Sequence, residues 1–229
     1  MSLASYKARV FSQGRNIQES TAYDTKRLQV EYILNSPSRS DVLINLDETI
    51  SHPCIVSDTK TFQLRRFLFL PDMKVGVGDY ICHDGFIYLI TDQTTDSKFP
   101  QCFGQVCNFE YPIRTTTEKI LIGYETNGKP IYEYIDRVVT IPSVLTENNY
   151  TVIDDNPIPL PDSTAKIYLP YYIHDEIGFE INKTIKDRHA QFRIVDYVYG
   201  KVFPFNGVDK GCLEIKLDRV QRSDRLIRN

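Results

Sequence analysis

Gly78-Asp79-Tyr80-Ile81-Cys82-His83-Asp84-Gly85-Phe86-Ile87-Tyr88-Leu89-Ile90-Thr91-Asp92 decides the fold class. Its Asp-Gly pair lies between two runs of aromatic and β-branched residues. A two-residue Asp-Gly loop is the strongest short-range hairpin signal, because both loop residues must take positive φ. Just upstream, Gly76-Val77-Gly78-Asp79 reads as the turn that leads into the Tyr80 strand. Working outward, similar short runs at 42–44, 54–56, 67–70 and 104–107 are separated by Gly, Pro, Asp and Ser clusters. Short strands at close intervals predict a small barrel or sandwich over residues 37–113.

A second set of strands follows. Runs at 120–122 and 131–134 flank Asn127-Gly128 as another hairpin, with further candidates at 137–141, 150–153, 166–169, 191–195 and 213–217. Pro157, Pro159 and Pro161 force an extended loop among them, since proline cannot sit in a central strand. Before all of this, residues 1–15 are polar, and Ile17, Tyr23, Leu28, Val30, Tyr32 and Ile33 then occur among Glu, Lys, Arg and Gln without Gly or Pro. That spacing predicts an amphipathic helix over 17–34, stopped by Pro37, whose ring disfavours helix in the residue before it. The expectation is a mainly β protein. It has an N-terminal arm and helix (1–36), then two small β-barrel or sandwich modules (37–113 and 114–229), the last ending in a basic tail.

The two modules resemble each other. The first contains Leu70-Pro71, Ile81, Tyr88-Leu89-Ile90-Thr91-Asp92 and a strand led by Cys102; the second contains Leu169-Pro170, Ile185, Phe192-Arg193-Ile194-Val195-Asp196 and a strand led by Cys212. In each, the aspartate stands eleven positions after the isoleucine. A duplicated β unit accounts for this, with variable loops at 94–101 and 199–211.

Composition narrows the function classes. The chain has 229 residues, 41% of them hydrophobic, with 15 Tyr, 12 Phe and no Trp, which favours strands over a helical bundle. A net charge of -3 argues against holding nucleic acid by counterion release as the main activity. No run approaches the ~20 apolar residues that cross a bilayer, and the first residues lack an apolar signal core, so assembly in a cytoplasm and no membrane are expected. Cys54, Cys82, Cys102, Cys107 and Cys212 are odd in number, which fits reduced thiols better than a disulfide framework.

Recognisable catalytic chemistry is absent from the pattern, and no enzyme activity or cofactor is expected. Neither a Walker loop nor a dinucleotide fingerprint occurs. The GxGD string at Gly76–Asp79 resembles an intramembrane protease signature but lacks the membrane helices that chemistry needs. Cys82, His83, Cys102 and Cys107 are the densest candidate metal ligands, yet adjacent strand residues point to opposite faces, so Cys82 and His83 do not converge. His52, His83, His174 and His189 lie in turn-like segments outside any nucleophile elbow. Asp154-Asp155 and Asp175-Glu176 read as solvated loop charge rather than an acid-base pair. At the end of the chain, Arg219, Arg222, Arg225 and Arg228 recur every third residue, a pattern able to meet DNA phosphate or an acidic surface.

The helical arm, Ser36-Pro37-Ser38, the Leu-Pro step and the hairpin of residues 78–92 together resemble the head-closure, or stopper, proteins in the neck of tailed bacteriophages. The hairpin is similar to the "GD-x-I … Y-x-I-x-D" strand pair of those small barrels; the second module keeps Phe192 to Asp196 but has Asn182-Lys183 in place of Gly-Asp. The resemblance implies a structural virion protein. Copies form a homo-oligomeric ring between portal or adaptor and tail proteins, close the DNA-filled head, and touch packaged double-stranded DNA transiently. It implies DNA or partner contacts at Lys98, Lys201, Lys210, Arg222, Arg225 and Arg228. Alternatives are a phage tail or baseplate protein, and a single-strand nucleic-acid or carbohydrate binding module with aromatics exposed together on one sheet face.

Overall fold

The computed structural model describes residues 17–61, 63–71, 73–94, 100–148, 164–176, 180–187, 190–205 and 208–220. The chain is mainly β and falls into two compact units, Met1–Gln105 and Val106–Asn229. The boundary expected at 113/114 lies inside a strand. Between the two units the chain leaves β structure at Cys107-Asn108, and Pro112 is tolerated within the strand that follows, near a sheet edge.

The first unit opens with α1 (Ile17–Leu34), in the span the sequence predicts. Its inner face is not the predicted one. Ser20, Gln29 and Ile33 are buried, whereas Tyr23, Leu28 and Tyr32 are exposed. Six strands follow: β1 (Arg39–Ile44), β2 (Ser51–Asp58), β3 (Leu64–Phe69), β4 (Tyr80–His83), β5 (Phe86–Thr94) and β6 (Gln101–Val106). They form a closed barrel in the order β1-β2-β3-β6-β5-β4, and β4 pairs back to β1. The β4–β5 turn has Asp84 at φ 49° and Gly85 at φ 76°, as the Asp-Gly pair requires. Inside, Phe67 stacks 6.5 Å from Phe69 and meets Tyr88 edge-on at 5.4 Å. Gly104 makes room for this packing, since a Cβ there would lie 2.8 Å from Phe67 Cε2.

The second unit contains β7 (Phe109–Tyr124), β8 (Pro130–Asn148), β9 (Thr164–Pro170), a 3-10 turn (Tyr171–Glu176), β10 (Thr184–Lys186), β11 (Gln191–Phe205) and β12 (Val208–Arg219). The predicted strand at 137–141 is the continuation of β8, not a separate element, because Asp136 and Pro142-Ser143 are accommodated within one ladder to β7. The candidate at 150–153 and the proline loop at 157–161 lie outside the described residues. The sheet order is β10-β11-β12-β9-β8-β7. That is the order β4-β5-β6-β3-β2-β1 of the first unit, strand for strand.

The likeness extends to individual hydrogen bonds. In the first unit Gly78 N donates to Ile90 O at 2.9 Å and Ile90 N to Asp79 O at 2.9 Å. In the second, 104 positions later, Asn182 N donates to Ile194 O at 2.9 Å and Ile194 N to Lys183 O at 2.9 Å. Gly78 and Asn182 both take positive φ, at 91° and 70°. Asparagine tolerates that region better than most residues, which explains how it replaces glycine here. The Asp92 and Asp196 carboxylates each accept from the next backbone N–H, at 2.8 and 2.9 Å.

Where the units differ is in closure. In the first, Asn45 clasps the end of β1 to the start of β4. Its N–H donates to Tyr80 O at 2.9 Å, its side-chain oxygen accepts from Tyr80 N at 3.0 Å, and its amide nitrogen donates to the Asp79 carboxylate at 3.1 Å. Asp79 is 3% exposed and also accepts from Gly76 N at 2.8 Å. In the second unit, Lys183 stands in place of Asp79 and pairs at 3.3 Å with Glu180. Counting from the inward pairs Val56↔Phe67 and Leu145↔Ile167, the buried Tyr111 stands in place of Val42 and Ile113 in place of Ile44. Among the described residues β7 and β10 do not pair, and the sheet is an open half-barrel.

Candidate functional site

Of the residues expected to touch DNA or a partner, Lys98, Arg222, Arg225 and Arg228 lie outside the described residues, as do Asp154, Asp155 and His189. Lys201 and Lys210 are described, and the structure brings them together. Both sit on strands, not in a variable loop at 199–211: β11 runs to Phe205 and β12 begins at Val208. The aromatic and β-branched run Tyr197-Val198-Tyr199 and Val202-Phe203 carries the ladder outward, with an irregularity between Val198 and Lys201 that absorbs Gly200.

Register pairs Lys201 with Cys212 and Phe203 with Lys210, so the two lysines are diagonal neighbours on one face. On that face Lys166 pairs with Glu214 at 2.8 Å, Lys216 with Asp196 at 3.5 Å, and the Lys201 ammonium lies 5.6 Å from the Tyr168 ring centre. Burial, then the Glu214 charge, pushes the Tyr168 hydroxyl pKa up. Four lysines against two carboxylates make a mildly basic strip, suited to an anionic surface but crossed by its own ion pairs.

A small aromatic group stands on the same unit. Tyr171 lies 4.9 Å from His174 and 6.3 Å from Tyr199, ring centre to ring centre, and the Tyr199 hydroxyl is 3.4 Å from His174 Nε2. Burial, then Tyr171 and Asp196, raises the Tyr199 pKa. His52 and His83, expected in turns, are instead on β2 and at the end of β4. Cys54, Cys102 and Cys212 are buried and all five cysteines are free thiols. Among the described residues no group of three His, Cys, Asp or Glu side chains is placed to hold a metal ion, and no helix is long and apolar enough to cross a membrane.

The feature that sequence reasoning missed is the extent of the β7–β8 hairpin. Its strands have 16 and 19 residues, against six and eight in the matching β1 and β2. At its base Tyr111, Ile113, Ile141, Ser143 and Val144 are buried. The Tyr111 hydroxyl pKa is raised by burial first, then by Tyr197 and Glu180. Farther out, neither β7 nor residues 130–143 of β8 pairs with any other described strand. Nine of the 21 exposed large hydrophobic side chains among the described residues fall on positions 120–138. A two-stranded ribbon with both faces in water is marginal alone, so this concentration of apolar surface marks it as an interaction element. The signal in the sequence was an unbroken β-prone run without Gly or Pro from Ile113 to Ile122.

No protein-family model matches the chain, and no curated protein matches it. Among solved structures, one titled "MrkH, A novel c-di-GMP dependence transcription regulatory factor" aligns over 91% of this chain and 92% of its own, at 10% identity and a TM-score of 0.21. At that score the superposition carries no argument.

Proposed function

We propose that this chain is a structural virion protein of the tailed-phage neck, copies of which form a ring between portal and tail, close the DNA-filled head and present a platform for the tail. The observation that carries this reading is the open second sheet. A strand order that closes into a barrel in the first unit is left with two strand edges, β7 and β10, unpaired among the described residues. Open edges of this kind are templates for pairing with another chain. The hairpin of residues 78–92, which resembles the neck-protein strand pair, supports the same reading. The Lys201–Lys210 strip supplies a place for transient phosphate contact.

The test is the mass of the purified protein by light scattering, alone and mixed with candidate portal and tail proteins. Rings well above the 26.5 kDa of one chain, and a stable complex with a portal, are expected. A monomer that ignores both partners overturns the reading.

One observation favours a second reading. Tyr132 and Tyr134 are exposed on a single face of the ribbon, as a stacking module for single-stranded nucleic acid or glycans would require. Against it, the Lys119 ammonium already lies 3.7 Å above the Tyr132 ring centre, and Glu118, Glu125, Glu133 and Asp136 outnumber Lys119, Lys129 and Arg137 along the ribbon. Titration with labelled oligonucleotides and glycans separates the two.

A further inference from the structure

We propose that the outer β7–β8 ribbon docks head-to-tail onto the same ribbon of a second copy, the lysine-tyrosine face of one copy against the glutamate-isoleucine face of the next. The proposal rests on the reading of the chain as an assembling protein and names the contact that assembles it.

Register defines the two faces. The consecutive pairs Glu118↔Ile135, Lys119↔Tyr134, Ile120↔Glu133 and Leu121↔Tyr132 alternate across the ribbon, since directly opposite residues in an antiparallel pair share a face. One face therefore presents Lys119, Leu121, Tyr132 and Tyr134. The other presents Glu118 and Glu133 with Ile120 and Ile135. The Thr117↔Asp136 pair bounds this block on the sheet side, and a register shift between Leu121 and Gly123 bounds it at the tip. Arg137 pairs with Glu118 at 3.2 Å, whereas the described ion pairs include none to Glu133.

Three observations select a second copy as the occupant. First, both faces carry exposed apolar side chains, and Lys119 on one and Glu133 on the other are opposite in charge, so each complements the other and neither complements itself. Like-charge juxtaposition disfavours a face-to-self contact, and a contact between unlike faces is heterologous, the kind that generates rings. Second, covering the exposed parts of one face on one copy and of the other face on the next removes roughly 700–900 Å² from water, a small contact that a ring repeats at every junction. Third, the ribbon mixes four acidic with three basic residues between positions 118 and 137, which suits a mixed protein surface and not a polyanion.

The experiment is a charge swap split between two variants. Lys119 and Glu133 lie on opposite faces of their own ribbon, so neither compensates the other within one chain. Lys119→Glu and Glu133→Lys are each expected to weaken self-association about tenfold or more, because each faces a like charge on the next copy. Mixed in equal amounts, the two variants restore every contact to lysine against glutamate, and association returns to within about threefold of wild type. Far-UV circular dichroism of each variant checks that both remain folded; the rescue itself requires folded partners. A wild-type protein that stays monomeric at its solubility limit overturns the proposal. So does association that neither variant weakens, or single variants that weaken it without rescue on mixing. Ribbon-dependent association with no portal or tail binding leaves this contact standing and removes the neck reading instead.

Discussion

Asp79→Ala is expected to open the first unit and leave the second untouched. The Asp79 carboxylate accepts from Gly76 N at 2.8 Å and from the Asn45 side chain at 3.1 Å in a site 3% exposed. Truncation leaves the half-buried Gly76 N–H and the side-chain amide of the exposed Asn45 without that acceptor; water replaces it in part and the carboxylate is no longer desolvated, for a net loss of about 1–3 kcal/mol. The loss falls on the β1–β4 seam, since the same Asn45 holds Tyr80 through two further bonds. Native-state thiol labelling reads it unit by unit. Cys54 is fully buried in the barrel and Cys212 is buried in the open sheet, and replacing the half-buried Cys82 and Cys107 by serine removes the background. Where opening precedes labelling, about 1–3 kcal/mol corresponds to roughly 5- to 140-fold faster reaction at Cys54. Lys183→Ala, at the matching position, removes an exposed ion pair of at most about 1 kcal/mol and is expected to change Cys212 labelling less than about fivefold. Less than about threefold acceleration at Cys54 would refute the clasp, as would equal acceleration at both cysteines.

Two other perturbations test separate parts of the fold. Gly211→Ala sets a methyl group against the Lys201 carbonyl in a backbone at φ 148°, so the β11–β12 ladder has to shift; faster labelling at Cys212 with Cys54 unchanged is the expected result, and labelling at the wild-type rate counts against that geometry. Alkaline pH acts on the first unit through Cys54, whose pKa burial raises from 9.0 to about 12. The folded state then holds the proton that the unfolded state releases, so the contribution is fully present below pH 9 and is lost as pH rises towards 12; denaturation midpoints across that window fall less steeply in Cys54→Ala, and parallel slopes refute the assignment.

The parts of this structure legible in the sequence are those where local chemistry admits one answer. Asp84-Gly85 named its hairpin because both residues needed positive φ. The eleven-residue spacing from Ile81 to Asp92, repeated from Ile185 to Asp196, was matched by the same backbone bonds in both units. The cysteines aligned less well: Cys102 faces the core alongside Gly104, whereas Cys212 lies one residue off the inward row Leu213, Ile215 and Leu217. The helix span was clear from the absence of breakers, but its buried face was not. Tyr and Leu count as apolar wherever they stand, and only packing decides that Ser20 and Gln29 go inside. For the same reason the ribbon was invisible as such. Alternation says that a segment is a strand, not how many strands lie beside it. Sequence alone puts Lys201 and Lys210 in one loop, whereas the register of the β11–β12 ladder sets them on one sheet face.

The uninterrupted course of β8 from Pro130 to Asn148 has a mechanical consequence. Its outer length belongs to the ribbon, and its last five residues, Val144 to Asn148, are laddered to β9, which is laddered in turn to β12. A pull on the ribbon along its axis therefore reaches the buried sheet through covalent backbone, with no flexible joint on the way. There it loads the β8–β9 bonds side by side, in shear, and they must yield together instead of opening one at a time. An element so mounted transmits tension between its tip and its core as a rod does, and a chain of copies joined at such tips would stretch little before it broke.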